Sequence, residues 1–318
     1  MNAENKPMTV LEILNRTKVF FEKKGVPDPL LDAQYIISHG LGMKNRMDLY
    51  LNFEKPLTPA ELDTLRPLVA RRANREPLQH IVGDTSFRGF IIKCDARALI
   101  PRPETESLVD MAKKLLDGVQ NPFIVEVGTG SGAIAISCAK EIEGAQVLAT
   151  DISEDALALA RENAVANDLS DESSSNLRFA QGDLLGAVFA SGVAFADRAS
   201  VNETPASGTS TPASKKMDCL IANLPYIPDG EKDNLQPEVA KFDPALALFG
   251  GADGLDLIRK LLEQTEGRMN SGASILLEIG SEQAPVLEAE AVRYPWLSFT
   301  GSHKDFCGNV RFVSYKAN

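Results

Sequence analysis

The second half of the chain alternates short apolar runs with stretches of helical periodicity. The apolar runs predict buried strands, and apolar residues spaced three and four apart predict amphipathic helices between them. Strands are predicted at 123–128, 145–151, 177–182, 218–223, 274–280, 297–303 and 309–316. Helices are predicted near 131–142, 154–168, 254–269 and 281–293. This alternation is typical of an α/β fold in which helices cover both faces of a mostly parallel sheet.

The connections between these strands predict their order in the sheet. Because crossovers between parallel strands are right-handed, the first three strands should run outward to one side, and the fourth should return beside the first. The last two strands are separated by about five residues, which leaves no room for a crossover helix, so they should pair antiparallel. We therefore predict a seven-stranded sheet with an antiparallel last strand and a switch point between its first and fourth strands.

The beginning of the chain shows helical periodicity instead. Apolar residues at helical spacing predict four helices between residues 8 and 80. Thr58 and Glu61 form a capping box that starts the fourth helix. We interpret residues 1–80 as a small helical domain for substrate recognition.

Three arginines, Arg71, Arg72 and Arg75, follow the apolar positions of the fourth helix. Cations suit the carboxyl end of a helix, so these side chains fit a solvated face that complements the helix dipole. They also fit a docking patch for an acidic partner.

Residues 81–104 join the helical domain to the α/β domain, which we expect to span residues 105–318. The sequence Phe87-Arg88-Gly89-Phe90 lies between β-prone stretches and predicts a hairpin. In the segment Leu99–Glu106, two prolines flank an arginine and stiffen the backbone. This segment fits either a rigid linker that ends in a helix cap or a wall of the active site.

The stretch from Gly186 to Lys216 departs from the alternating pattern because Ala, Ser, Thr and Gly dominate it. Its first part, Ala187 to Ala196, is compatible with a helix. The remainder predicts a mobile loop with little role in function.

Composition and charge narrow the functional classes. The 318 residues are 44% hydrophobic and 24% charged, which is ordinary for a globular protein, and the net charge of −11 disfavours general binding to nucleic acid. The four cysteines lie far apart and the three histidines lack metal-ligand spacing, so neither a disulfide framework nor a zinc site is predicted. Because the sequence shows no membrane-spanning run and no export signal, we expect a cytoplasmic protein.

A glycine-rich loop, Gly128-Thr129-Gly130-Ser131-Gly132, follows the first predicted strand of the sheet. Glycines there let the backbone approach a ligand closely. A dinucleotide-binding loop would continue with glycine, where this chain has Ala133. Glu126, just before the loop, would repel a pyrophosphate but would pair with an amino-acid ammonium group. Both features favour S-adenosylmethionine over NAD.

Acidic residues also end the next two predicted strands. Asp151 lies about 20 residues after the glycine loop, where a carboxylate can accept hydrogen bonds from both ribose hydroxyls. Asp183 precedes Leu184 at the end of the third strand. An acidic group there could meet the adenine amine.

The tetrapeptide Asn223-Leu224-Pro225-Tyr226 ends the fourth predicted strand. Ligands of open parallel sheets bind beyond the carboxyl ends of the strands, and the predicted order brings this tetrapeptide beside the glycine loop. The side-chain oxygen of Asn223 and the carbonyl of Leu224 offer two acceptors to a planar NH2 group. Together these features predict a methyltransferase that alkylates an amide or an exocyclic amine.

Six segments of the chain resemble the PrmC/HemK family of release-factor glutamine methyltransferases. They are Pro77–Gly83 with Phe87 and Phe90, Leu99–Glu106, Val125–Ala135, Asn223–Tyr226, Asp243–Leu248 with Gly250–Leu255, and Lys304–Arg311. The similarity covers nearly the whole chain, and Pro101–Glu106 is its most family-specific part.

This resemblance implies an enzyme with a class I, Rossmann-like methyltransferase domain behind a small helical domain. Its substrate would be the glutamine of the Gly-Gly-Gln motif in class 1 peptide chain release factors, methylated on N5. A monomer that needs no metal and binds no nucleic acid is expected. The glutamine would be bound and positioned by Asn223, Leu224, Pro225 and Tyr226. The cofactor would be bound by Glu126, Gly128, Thr129, Gly130, Ser131, Gly132, Asp151, Ile152, Asp183, Leu184 and Asn223.

Two positions depart from the family pattern. The family motif usually reads Asn-Pro-Pro-Tyr, whereas this chain has Leu224 at its second position. An aromatic residue that packs against adenine is usual where this chain has Leu184. Neither change removes a reacting group, since the backbone carbonyl of Leu224 is retained.

Two other functions stay open at this point. A nucleic-acid adenine methyltransferase could present its exocyclic amine to the same tetrapeptide after base flipping. A protein without catalytic activity could bind S-adenosylmethionine or a release factor as a regulator. The net charge argues against the first, and the retained Glu126, Asp151 and Asn223 argue against the second.

Overall fold

The computed structural model describes residues 7–169, 176–186, 188 and 215–318. The stretch 187–214, which the sequence predicts as a helix followed by a loop, lies outside the described residues except for residue 188. None of the helices in the described part of the chain is long and apolar enough to cross a membrane.

The chain forms two compact units. The helical unit comprises Met1–Asp84, Cys94–Ala96 and Asn234–Asp243, and the sheet unit comprises Thr85–Lys93, Arg97–Asp233 and Pro244–Asn318. The predicted boundaries after residues 80 and 104 stay predictions. The helical unit also takes in a later segment, which periodicity alone did not indicate.

The described strands from residue 123 onward and the long helices between them follow the predicted alternation, whereas the short helices Leu78–Val82 and Pro237–Phe242 were not predicted. The helices are α1 (Val10–Lys23), α2 (Pro29–Gly40), α3 (Met47–Leu51), α4 (Pro59–Ala73), α5 (Leu78–Val82), α6 (Glu106–Leu115), α7 (Ala133–Glu141), α8 (Glu154–Ala166), α9 (Pro237–Phe242), α10 (Asp256–Gln264) and α11 (Ala284–Glu290). The strands are β1 (Asp84–Phe87), β2 (Phe90–Lys93), β3 (Phe123–Val127), β4 (Gln146–Asp151), β5 (Leu177–Gln181), β6 (Met217–Ala222), β7 (Met269–Glu278), β8 (Leu297–Lys304) and β9 (Val310–Ala317).

The helical unit contains α1 to α5, which share one apolar core, and α9, whose Glu238 forms ion pairs with Arg72 and Arg75. The predicted capping box is present at the start of α4, where the Thr58 and Glu61 side chains bond each other's backbone amides. A second capping box joins Thr9 and Glu12 at the start of α1. Both caps satisfy amides that have no partner inside their helix.

The arginines at the end of α4 bond acidic groups of their own unit. Arg72 is 5% exposed, and its guanidinium lies 2.6 Å from Asp32 and 3.0 Å from Glu238. Arg75 contacts the same Glu238 carboxylate at 2.6 Å. The expectation of a solvated face is therefore wrong for Arg72, because its charge is buried and paired within the bundle.

Strands β1 and β2 form the predicted hairpin. Its turn residues, Arg88 and Gly89, both have positive φ angles, of 52° and 81°. Such a two-residue turn matches the twist of the strands it joins, and glycine relieves the strain at its second position.

The remaining strands form one sheet in the order β5-β4-β3-β6-β7-β9-β8. The first five strands of this order are parallel, and β9 runs antiparallel to both β7 and β8. This confirms the predicted order and the antiparallel last strand. Most boundaries differ by one to three residues, and the largest differences lie between α10 and β7. The helix predicted near 254–269 ends at Gln264, and the strand predicted at 274–280 already begins at Met269, after a turn in which Arg268 N donates to Thr265 O at 3.0 Å.

Candidate functional site

A cavity lies beyond the carboxyl ends of β3, β4 and β6. The register pairs Val127 of β3 with Ala222 of β6, so the loop that begins at Gly128 starts beside Asn223. The segment from Arg97 to Arg102 also lines the cavity, as does Thr105. The stiff proline-containing segment is therefore a wall of this cavity, which agrees with the second of its two interpretations from the sequence.

Most of the residues predicted to bind ligands reach this cavity. It is lined by Glu126, Gly128, Thr129, Gly130, Ser131, Asp151, Ile152, Asp183, Leu184, Asn223, Leu224 and Pro225. Gly132 and Tyr226 are not among its lining residues. Gly132 instead faces α8, since a Cβ atom there would lie 3.0 Å from that of Ala160.

The backbone amides of the glycine loop are used within the protein. The amides of Gly128 and Thr129 donate to the carbonyl of Thr150 at 2.8 and 2.9 Å. The amide of Gly130 donates to Asp151 Oδ2 at 2.9 Å. A phosphate-binding loop points such amides at its ligand, so this loop is poorly suited to a pyrophosphate.

Glu126 is buried at the end of β3. Its Oε2 atom accepts a hydrogen bond from Thr129 Oγ1 at 2.7 Å, and the residue is 2% exposed. Burial raises the pKa of Glu126 to about 8, against the opposing effect of the Thr129 hydrogen bond. The carboxyl group is therefore largely protonated at neutral pH unless a cation approaches it.

Asp151 ends β4 at the wall of the cavity. Its carboxylate accepts hydrogen bonds from the amides of Gly130 and Ser153, both at 2.9 Å. Burial raises the pKa of Asp151, and these hydrogen bonds act in the opposite direction. The two amides hold the side chain in place, while a carboxylate can still accept further hydrogen bonds from a ligand.

The residues after β4 and β5 form another part of the cavity lining. Ile152 is 53% exposed and Leu184 is buried, so both present apolar surface. Asp183 forms an ion pair with Lys260. A ligand amine that bonds Asp183 would have to share its carboxylate with this lysine.

The tetrapeptide is held in place from several sides. Leu224 is buried against the glycine loop, and a Cβ atom at position 128 would lie 2.9 Å from Leu224 Cδ2. Farther along, the carbonyl of Tyr226 accepts a hydrogen bond from Gln283 Nε2 at 2.8 Å. A Cβ atom at position 254 would lie 2.0 Å from the same carbonyl, so the segment packs closely against Gly254.

Two functional candidates were missed from the sequence, Thr105 and Glu278. Thr105 Oγ1 donates to Glu278 Oε2 at 2.7 Å, and Asn223 Nδ2 donates to Thr105 Oγ1 at 3.4 Å. A signal for Glu278 is present in the chain, because a carboxylate interrupts the apolar run at the end of β7, as Glu126 does in β3. Nothing in the sequence indicates that Glu278 bonds Thr105.

The chemistry of the cavity fits S-adenosylmethionine. Carboxyl groups stand near the ends of β3 and β4 for an ammonium group and for hydroxyls, and Ile152 and Leu184 supply apolar surface for a base. Within the described residues, no cluster of three or more His, Cys, Asp or Glu side chains could hold a metal ion.

Comparison with protein families and known proteins identifies the relatives of this chain. Residues 12–83 match the family model described as the PrmC N-terminal domain, and residues 124–204 match the model described as a methyltransferase domain. The release factor glutamine methyltransferase of Deinococcus radiodurans is 34% identical over 306 residues, which cover 96% of this chain and 98% of that protein. Its counterpart from Chlorobaculum tepidum is 35% identical over 286 residues, which cover 88% of each.

Among solved structures, the catalytic domain of hMettl16, in complex with MAT2A 3'UTR hairpin 6, superimposes with a TM-score of 0.50. It is 16% identical, and the match covers 79% of this chain and 81% of that one. At this identity the likeness shows a shared methyltransferase fold.

Proposed function

The chain belongs to the family of release factor glutamine methyltransferases, and on this premise we propose that it methylates the glutamine of the Gly-Gly-Gln motif in class 1 peptide chain release factors. The methyl group goes to N5, the side-chain amide nitrogen. The observation that carries this proposal is the position of Asn223, at the end of β6 and beside the glycine loop that ends β3. An acceptor for an amide group thus lies at the wall of the cofactor cavity.

S-adenosylmethionine, when bound, supplies a methyl group on a positively charged sulfur. The chemistry of the cavity supports assigning its binding to the residues that the sequence predicts for this cofactor. Among these, Gly132 and Ala160 pack together, so Gly132 contributes by shaping the loop. This proposal requires no metal ion.

Asn223 and Leu224 orient the substrate amide. The lone pair of an amide nitrogen is delocalised into its carbonyl, which makes the nitrogen a poor nucleophile. Asn223 Oδ1 and the Leu224 carbonyl accept hydrogen bonds from its two N–H groups, aim the nitrogen at the methyl group and favour the positive charge that develops. The nitrogen releases one of these hydrogens as a proton after methyl transfer. Orientation of this kind contributes about 7–11 kcal/mol in well-built sites.

Tyr226 packs against the aliphatic stem of the substrate glutamine. Burial and the neighbouring Glu278 carboxyl raise the pKa of Tyr226 to about 12. Its hydroxyl is protonated at neutral pH, as that of a tyrosine with the ordinary pKa near 10 also is, and this suits a residue that packs and donates hydrogen bonds. Pro225 keeps the backbone between Leu224 and Tyr226 stiff.

The helical domain of residues 1–80 recognises the release factor in this proposal, and the enzyme acts as a monomer. The match of residues 12–83 to the PrmC N-terminal domain model supports the recognition role of the helical domain. Because release factors work on ribosomes, the enzyme would act in the compartment where translation takes place, which is the cytoplasm in bacteria.

Methyl transfer from labelled S-adenosylmethionine to a purified class 1 release factor tests this function. A release factor in which alanine replaces the motif glutamine is the matched control. We expect label on the first protein and none on the second. Equal label on both would place the reaction on another residue, and label on neither would reject the proposed substrate.

The same assay separates the two other functions. An adenine methyltransferase would label RNA or DNA instead, and its binding to nucleic acid would weaken steeply with salt. A regulator without catalytic activity would bind the release factor but label nothing. The net charge of −11 speaks against the first of these.

A further inference from the structure

Glu278 is a buried carboxyl group beside the tetrapeptide. It ends β7 and is 4% exposed. Its Oε2 atom accepts the hydroxyl hydrogen of Thr105 at 2.7 Å. Burying a carboxyl group is costly, and apolar residues would fill such a space at lower cost unless the carboxyl has a task.

Thr105 connects this carboxyl group to Asn223. A threonine hydroxyl has one hydrogen to donate, and that of Thr105 goes to Glu278. Toward Asn223, therefore, Thr105 Oγ1 offers only lone pairs, and it accepts a hydrogen bond from Asn223 Nδ2 at 3.4 Å. This arrangement turns the NH2 end of the Asn223 amide toward Thr105 and leaves Oδ1 for a ligand.

We propose that Glu278 is a positioning residue that, through Thr105, selects the orientation in which Asn223 presents its oxygen to the substrate amide. This inference rests on the proposed function, because it assigns the acceptor role of Asn223 to a chain of two hydrogen bonds. Thr105 is the second positioning residue. Neither side chain exchanges a proton with the substrate.

The chain of hydrogen bonds depends on the charge of Glu278. A protonated Glu278 can donate to Thr105 Oγ1, and the Thr105 hydrogen is then free to donate to Asn223. The Asn223 side-chain amide would flip by about 180° so that its oxygen accepts the Thr105 hydrogen. Its NH2 group would then face the NH2 group of the substrate. Two donors cannot bond each other, so we expect this form to be inactive.

The groups around Glu278 place the loss of its proton near neutral pH. Burial raises the pKa of Glu278 to about 7, with Glu104 acting in the same direction. The Thr105 hydroxyl, Arg311 on β9 and the Tyr226 hydroxyl lower it. The turnover rate should therefore rise with pH through about 7 as Glu278 loses its proton.

The test compares turnover of Glu278→Gln with that of the wild-type enzyme from pH 6 to 9, with both substrates saturating. A glutamine has nearly the same shape but can donate or accept toward Thr105, so it no longer selects one Asn223 orientation. An Asn223 amide without an orientational preference presents its oxygen about half of the time. We therefore expect turnover to fall roughly twofold or more at pH 8 and to lose its rise through pH 7, with unchanged cofactor affinity. Glu141→Gln is the matched control, because Glu141 binds Arg88 and Lys113 and its pKa is lowered to about 2.

Variants of Thr105 test the connection itself. Thr105→Val removes the hydroxyl at constant shape and should behave like Glu278→Gln, whereas Thr105→Ser keeps the hydroxyl and should keep the pH profile. The double variant Thr105→Val/Glu278→Gln should be no slower than either single variant, since both break one chain. Additive losses, or a Glu278→Gln enzyme with the wild-type pH profile, would overturn the proposal.

A readout without release factor separates this inference from the proposed function. In protein labelled with ¹⁵N-asparagine, the side-chain amide signals of Asn223 should shift with a midpoint near pH 7 in the wild type and not in Glu278→Gln. If the wild-type enzyme fails to methylate a release factor but shows this shift, only the substrate assignment is wrong. If it methylates the release factor and the signals do not move, the role of Glu278 is wrong.

Discussion

Leu224 holds the backbone of the tetrapeptide in place through the packing of its side chain. A proline at this position would do so through its ring, which restricts the backbone. The Leu224 side chain is 5% exposed and belongs to the core on one face of the sheet. It also fills the space next to Gly128, where a Cβ atom would lie 2.9 Å from Leu224 Cδ2. The departure from the usual family motif thus has a structural compensation in the contact between the two loops.

This packing predicts that Leu224→Ala is costly. The variant should lower the free energy of unfolding by about 2–5 kcal/mol, because it leaves a cavity between the tetrapeptide and the glycine loop. Val292→Ala is the control, since Val292 is 87% exposed and its truncation should change stability by less than about 0.5 kcal/mol. Urea unfolding of both variants checks the prediction, and equal stability would contradict the packing role.

We expect the Glu126 carboxyl group to release a proton when the cofactor binds. Its pKa of about 8 in the free protein means that the carboxyl group is largely protonated at pH 7. A cofactor ammonium group would favour the ionised form and lower this pKa, so affinity should increase as the pH rises toward 8. Titration calorimetry at pH 7 in two buffers of different ionisation enthalpy should show the released proton in the wild type and lose it in Glu126→Gln. The same proton count in both would refute the assigned pairing.

At the scale of elements, apolar periodicity predicted the sheet because its central strands β3, β4 and β6 are buried almost throughout. In β3 all five residues are buried, and neighbours such as Ile124 and Val125 belong to cores on opposite faces. The sequence was less informative where contacts between distant parts of the chain determine whether a side chain is buried. Arg72 looked like a helix-end cation, but Asp32 and Glu238 reach it from distant parts of the chain.

Gly254 packs closely against the Tyr226 carbonyl, and alanine substitutions at Gly254 and Gly118 test the importance of this contact. Gly254 and Gly118 both have a φ of +78°, yet a Cβ atom at 254 would lie 2.0 Å from the Tyr226 carbonyl, whereas one at 118 would meet nothing within 4 Å. Gly118→Ala should therefore cost only the backbone strain of about 1–2 kcal/mol. Gly254→Ala should destabilise the protein further and also reduce methyl transfer, because it displaces the tetrapeptide. Equal unfolding energies and equal activities would show that the close contact is unimportant.

For the whole molecule, the sequence predicted which strand ends meet but not the side chains that orient them. The crossover rule brought the glycine loop and Asn223 together, because it depends only on connection lengths and handedness. Thr105 and Glu278 are 173 positions apart and meet only after folding. Their hydrogen bond depends on how α6 and β7 pack, which no local pattern encodes.

The most direct test of the whole account is methyl transfer by Asn223→Ala to a class 1 release factor, measured together with its affinity for S-adenosylmethionine. We expect transfer to fall about a hundredfold or more while cofactor affinity changes little, since the variant removes an acceptor that orients the amide. Asn270→Ala, which changes an amide that bonds Asp218 instead, should retain activity. Full turnover by Asn223→Ala with intact cofactor binding would contradict the account.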